Sequence, residues 1–131
     1  MAKWTDAGEN RVLDILLGAT PVDTTLYLGL YQDVAEPGET EALADLTEPS
    51  GSGYARIALS RGSWSIVDDL ATYAEQTFTA SGGDWGDITG AFITDVASGT
   101  SGDLIAVQSF AAARTINDGD SLKVTPKIRA A

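Results

Sequence analysis

Apolar residues fall into two rhythms along this chain. Near the N-terminus, "TDAGENRVLDILLG" places Val12, Leu13, Ile15, Leu16 and Leu17 at the i, i+3, i+4 spacing of one helical face. Thr5 or Asp6 offers an N-cap and Glu9 stands three residues after Asp6, as in a capping box. Gly18 is placed for C′ and Pro21 bars continuation. One helix over residues 5–18 is predicted, the only substantial one.

Beyond it the rhythm changes to strands. In "TLYLGLY" (Thr25 to Tyr31), Leu26, Leu28 and Leu30 share one face and Tyr27, Gly29 and Tyr31 the other, so both faces should be at least partly covered. Further strands are predicted in "YARIAL" from Tyr54, "SWSIV" from Ser63, "ATYAEQTFTA" from Ala71, "ITGAFITD" from Ile88, "DLIAVQSF" from Asp103 and "SLKVTPKI" from Ser121. Turn signals separate them, including "SGGDWG", "ASGTSGD" and "NDGD", whose Asp118-Gly119 pair favours a hairpin. Six to eight short strands at this spacing predict a mainly β fold, an antiparallel β-sandwich or flattened barrel with one N-terminal α-helix. Residues 1–131 read as a single domain, long enough to bury one core.

One connection breaks the pattern. Residues 33–52, "DVAEPGETEALADLTEPSGS", hold Asp33, Glu36, Glu39, Glu41, Asp45 and Glu48 and no basic residue. A loop of this length is read as either a solvated flap or a contact arm, with Glu36, Glu39 and Glu41 as interface candidates.

Charge and composition narrow the chemistry. A net charge of −11 repels phosphate backbones and anionic membrane surfaces, so neither nucleic acid nor membrane is an expected partner. The chain has neither cysteine nor histidine, which removes thiolate sites, Ser-His-Asp chemistry and ordinary zinc sites. Synthesis in a cytoplasm is expected from the absence of a signal-peptide pattern in "MAKWTDAGENR".

The remaining acid–base candidates are Asp68 with Asp69, Asp84 with Asp87, and Asp118 with Asp120; in tight turns they are expected to bond backbone rather than flank a substrate. No cofactor is expected, and calcium only incidentally, because no EF-type loop spacing is present. Trp4, Trp64 and Trp85 are candidate core or interface anchors, with a sugar-stacking platform as the competing reading. Around Trp85, Gly83 and Gly86 should permit a tight turn and Asp84 should bond local N–H groups.

The order of landmarks carries a resemblance. "LYLGLYQ", a glycine-rich lead into "YARI", "GDWGDITGAFITD", "LIA" and "DGDSLKVTPKI", from about Leu26 to Ile128, resemble small virion structural proteins of tailed bacteriophages often labelled tail fibre proteins. That resemblance implies a non-catalytic β-sandwich subunit on the virion surface, present in many copies and touching major capsid protein or other virion proteins and copies of itself. A compact acidic domain of this kind looks like a capsid decoration, or cement, protein; a tail fibre, baseplate or host-glycan-binding module is the alternative. The long acidic 33–52 segment departs from the family's pattern.

Overall fold

The computed structural model describes residues 2–18 and 21–130. Thr5 starts the helix α1 (Asp6–Leu17): its side chain accepts from the Gly8 N–H at 3.0 Å, and its hydroxyl points at the Leu104 and Ile105 carbonyls. With Thr5 as the cap, Glu9 is the fourth helical residue and the capping box expected from Asp6 and Glu9 does not form. Gly18 closes the helix as its extended C-cap rather than as a left-handed C′ residue, and its N–H reaches the Asp14 carbonyl at 2.9 Å.

The described residues form ten strands: β1 (Lys3–Trp4), β2 (Thr25–Tyr31), β3 (Ile57–Ser60), β4 (Ser65–Val67), β5 (Leu70–Thr72), β6 (Gln76–Thr79), β7 (Gly86–Thr94), β8 (Leu104–Ile116), β9 (Ser121–Val124) and β10 (Lys127–Arg129). A five-stranded antiparallel sheet runs β1-β8-β7-β2-β3, and β10-β5-β4 and β6-β9 form two smaller sheets.

The count exceeds the predicted six to eight because two predicted strands are each broken and the short β1 was not predicted. "ATYAEQTFTA" divides into β5 and β6, and "SLKVTPKI" into β9 and β10. The two breaks meet, since the Tyr73 N–H donates to the Pro126 carbonyl at 3.0 Å. Proline cannot donate to a ladder, so the paired ribbon bends there. The predicted "YARIAL" strand begins only at Ile57, because Tyr54 and Arg56 are used elsewhere. Nor does Asp118-Gly119 make a hairpin: the turn carries the chain from β8 in the large sheet to β9 in a small one.

One face of the five-stranded sheet packs against the two small sheets. Leu28, Leu30, Ile88, Ile93 and Ile105 meet Phe78, Leu122, Val124 and Ile128 in a continuous core, which makes the architecture a sandwich. The opposite face is built differently. Tyr31 lies over Gly90 and Phe92 over Gly29, its direct cross-strand partner, so closely that a Cβ on either glycine would enter the ring. Leu43, Leu104 and Val107 complete this second cluster, as the alternation of "TLYLGLY" predicted for a strand covered on both sides.

α1 sits on β8 through its own first turns. Gly8 is buried, and a Cβ there would collide with the Ile105 carbonyl. Gly8→Ala should therefore destabilise the protein by about 1–3 kcal/mol, as other overpacked substitutions do, although alanine is the better helix former by about 1 kcal/mol. Urea unfolding of the variant checks this, and a stabilised protein would show that the helix is free to move off β8.

Candidate functional site

Two turns and one tryptophan settle the region around Trp85. Trp85 is only 6% exposed, its indole N–H donates to the Ser52 carbonyl at 3.0 Å, and its ring meets Tyr54 edge-on at 5.5 Å. Its own backbone N–H donates to Ile116, and its carbonyl accepts from the Gln32 amide. Trp85 is a core side chain tying the turn before β7 to the Ser52–Tyr54 segment. Gly86 is left-handed (φ 81), but the second left-handed residue is Gly82 (φ 90) rather than Gly83. At Gly83 the constraint is space, because a Cβ would press on the Ser52 hydroxyl.

Asp84 does not bond its own turn. It accepts from the Asp118 N–H at 2.7 Å, and Asp118 in return accepts from the Gly82 N–H at 2.9 Å, so two turns far apart in sequence clasp each other. Asp120 accepts from the Asn117 N–H, and Asp87 from the Thr115 hydroxyl. Asp68 and Asp69 are both left-handed and form the two-residue turn between β4 and β5. Asp84, Asp118 and Asp120 thus fasten backbone, Asp87 bonds a cross-strand hydroxyl and Asp69 pairs with Arg129. Among the described residues, no group of three acidic side chains is placed to hold a metal ion.

Trp4 and Trp64 are half-buried against the same core as Trp85. The Trp4 indole donates to the Arg129 carbonyl at 2.8 Å, and Trp64 packs edge-on against Tyr73 at 5.2 Å. The three tryptophans are distributed around the sandwich interior and present no shared stacking platform.

The 33–52 loop lies against the sheet instead of reaching away from it as an arm. Pro37, Leu43 and Pro49 are buried, the Gln32 N–H donates to the Thr47 carbonyl, and the Thr47 N–H donates to Asp33. Glu48 is held at both oxygens by Arg56 (3.0 and 2.6 Å) and also accepts from the Tyr54 hydroxyl at 2.7 Å. Tyr54 itself accepts from the Leu30 N–H, and the Arg56 guanidinium continues to the Val96 and Gly99 carbonyls over the Phe92 ring. Glu39 contributes its carbonyl to the Asp6 N–H, Glu36 makes an exposed pair with Lys3 at 3.5 Å, and Glu41 is half-buried beside them. The network's members were absent from the sequence-derived candidates; the one local signal was that Arg56 is a cation close to an otherwise all-acidic loop.

α1 is the unusual element. Its inward side carries Ala7, Gly8, Arg11 and Ile15, and Arg11 grips Asp23 through two bonds of 2.7 Å, Asp103 at 2.7 Å and Asp95 at 2.9 Å. Those bonds raise the guanidinium's pKa further, against the opposing effect of partial burial, so the anchor stays charged at any working pH. The apolar stripe read from the sequence divides: Ile15 turns inward, while Val12, Leu13, Leu16 and Leu17 point the other way and are 43%, 53%, 75% and 79% exposed. A shallow cleft at its N-terminal end is lined by Trp4, Glu9, Val12, Leu13 and Ala130. This apolar face is a candidate interaction surface.

A family model described as Podophage GP4 fiber I protein gp80 matches residues 3–128. The chain belongs to this family. It is thus a structural protein of a tailed-phage virion, as the resemblance of "LYLGLYQ", "YARI" and "GDWGDITGAFITD" implied, and the fibre label agrees. No curated protein matches the chain significantly. Among the described residues of this fibre-family member, no helix is long and apolar enough to cross a membrane.

Two outcomes follow from this geometry. Trp85→Ala should cost about 3–5 kcal/mol of stability, as truncation of buried aromatics does, read as a lowered midpoint in denaturant; an unchanged midpoint would contradict the core role. Burial, the largest cause, and the neighbouring Glu48 push the Tyr54 hydroxyl well above its ordinary value of 10.0. A group whose pKa is raised by folding stabilises fully below its unfolded value and loses that contribution as pH climbs past it. Stability should therefore begin to fall above pH 10.0, with a shallower decline in Tyr54→Phe. Unfolding midpoints of both proteins between neutral and alkaline pH test this, and parallel declines would remove Tyr54 as the titrating group.

Proposed function

We propose that this protein is a non-catalytic structural subunit of the tail-fibre apparatus, attached to the particle through the outward face of α1. The observation that carries the reading is the inverted helix: Gly8 and Arg11 fasten it inward while Val12, Leu13, Leu16 and Leu17 face solvent. The family description of a fibre protein favours the tail. A non-catalytic role is supported by the carboxylates around Trp85, each of which is engaged in holding a turn.

Capsid decoration is the second reading. It is favoured by the pinned 33–52 loop in place of a reaching arm and by the one apolar helix face, which suit a cap seated on a shell lattice. In either place, binding the assembled particle and not its free parts would stabilise the assembly by mass action. The sugar-platform alternative has no comparable support, since Trp85 is buried and Trp4 and Trp64 pack against the core.

Cryo-electron microscopy of purified particles separates these readings. Density for the sandwich and its single helix is expected at the tail, with α1 against a neighbouring protein. Regular density over the capsid lattice would replace the fibre reading with decoration, and absence from the particle would overturn both.

A further inference from the structure

We propose that the outward face of α1 seats in an apolar groove of a different protein of the particle, one whose rim carries lysine or arginine side chains. The inference rests on the reading of the chain as an attached virion subunit and adds the chemistry of what receives it.

Size argues against a second copy as the occupant. An aliphatic side chain exposes roughly 60–120 Å² when free, so the four exposed residues of α1, together with Val22 in the connection after it, offer on the order of 300 Å². A stable protein pair buries about 800 Å² on each partner. A helix-to-helix dimer through this face alone falls well short. A groove wraps the helix on both sides and so buries its flanks in addition to the stripe.

Charge argues in the same direction and names the rim. Glu9 stands at the N-terminal end of the stripe and exposed Asp14 flanks it, while the helix's one cation, Arg11, is turned inward onto three carboxylates. No basic residue occupies the last turn, so the carbonyl end of the helix dipole also lacks a positive neighbour there. Two copies of a chain of net charge −11 would set these acids against each other. A rim of lysine or arginine meets them with opposite charge, which speeds encounter and orients the docked helix.

The test uses the purified full chain and particles grown without it, with bound chain measured after pelleting the particles. Wild-type binding should weaken between about 0.1 M and 1 M NaCl, where the screening length falls from about 10 Å to about 3 Å. Leu13→Ser combined with Leu16→Ser should retain the wild-type melting temperature, because both side chains are exposed, yet bind at least about tenfold more weakly at either salt, as loss of interface anchors does. Glu9→Lys combined with Asp14→Lys should lose the salt dependence. Should the serine double variant melt early, Leu16→Ser alone takes its place.

Wild-type-like binding by the serine variant would remove the helix face as the docking surface. Binding indifferent to salt, or strengthened by it, would remove the basic rim. Sedimentation of the free wild-type chain as a dimer that Leu16→Ser dissolves would make a second copy the occupant and overturn the proposal. If native particles contain the chain and the variants enter them equally well, this inference fails alone; if native particles lack the chain, the virion-subunit reading fails and takes this one with it.

Discussion

The five-stranded sheet is covered on both faces, and the rest of the fold follows from that requirement. The small sheets cover one face with a continuous aliphatic core. On the other, Tyr31 and Phe92 lie across Gly90 and Gly29, filling the space those glycines leave, but the rings themselves still need a roof. The 33–52 loop provides it with Leu43. An irregular segment laid over a core needs fastening, and Glu48 supplies it by tying the loop through Tyr54 to β2 and through Arg56 to the connection between β7 and β8. Arg56 alone joins the loop, the connection between β7 and β8, and the Phe92 ring.

Arg11 does the same work for the helix, under a different constraint. A helix whose inward side carries alanine, glycine and arginine with Ile15 as its one large aliphatic has little hydrophobic adhesion, so its position depends on the Thr5 cap, on close approach at Gly8 and on the bonds to Asp23, Asp95 and Asp103. Removing one member of a partly buried ion cluster leaves charges without partners, a far larger penalty than the net contribution of an exposed pair. Fastening by charge leaves the apolar residues of α1 available for something else.

Much of this fold was legible in the sequence, because strand alternation depends only on neighbours. β2 could be read from "TLYLGLY" to the residue, including its double covering, and Thr5 was identifiable as a cap. The breaks at Tyr73 and Pro126 were less so: Pro126 was a visible signal within "SLKVTPKI", but its effect on the opposite strand required knowing which strands pair. The apolar period of α1 was equally plain, yet periodicity marks a face without saying what the face meets. The inward side carries little hydropathy signal beyond Ile15, since Gly8 and Arg11 hold it by close approach and ion pairs. The Asp84–Asp118 clasp and the Arg11 and Arg56 networks join residues distant along the chain, and no spacing rule reaches them.

The acidic surface and the apolar helix face act over different distances, and the difference bears on how such a subunit behaves before assembly. Repulsion between chains of net charge −11 extends over about 8 Å at physiological ionic strength, whereas burial of Leu13, Leu16 and Leu17 is gained only on contact. On the proposed reading, two free copies meet the repulsion before the attraction. A surface with basic side chains reverses the sign of the long-range part while leaving the apolar part unchanged. On the proposed reading, the same acids that keep the free chain from associating with itself direct it to its seat, and no change of conformation is needed to switch between the two.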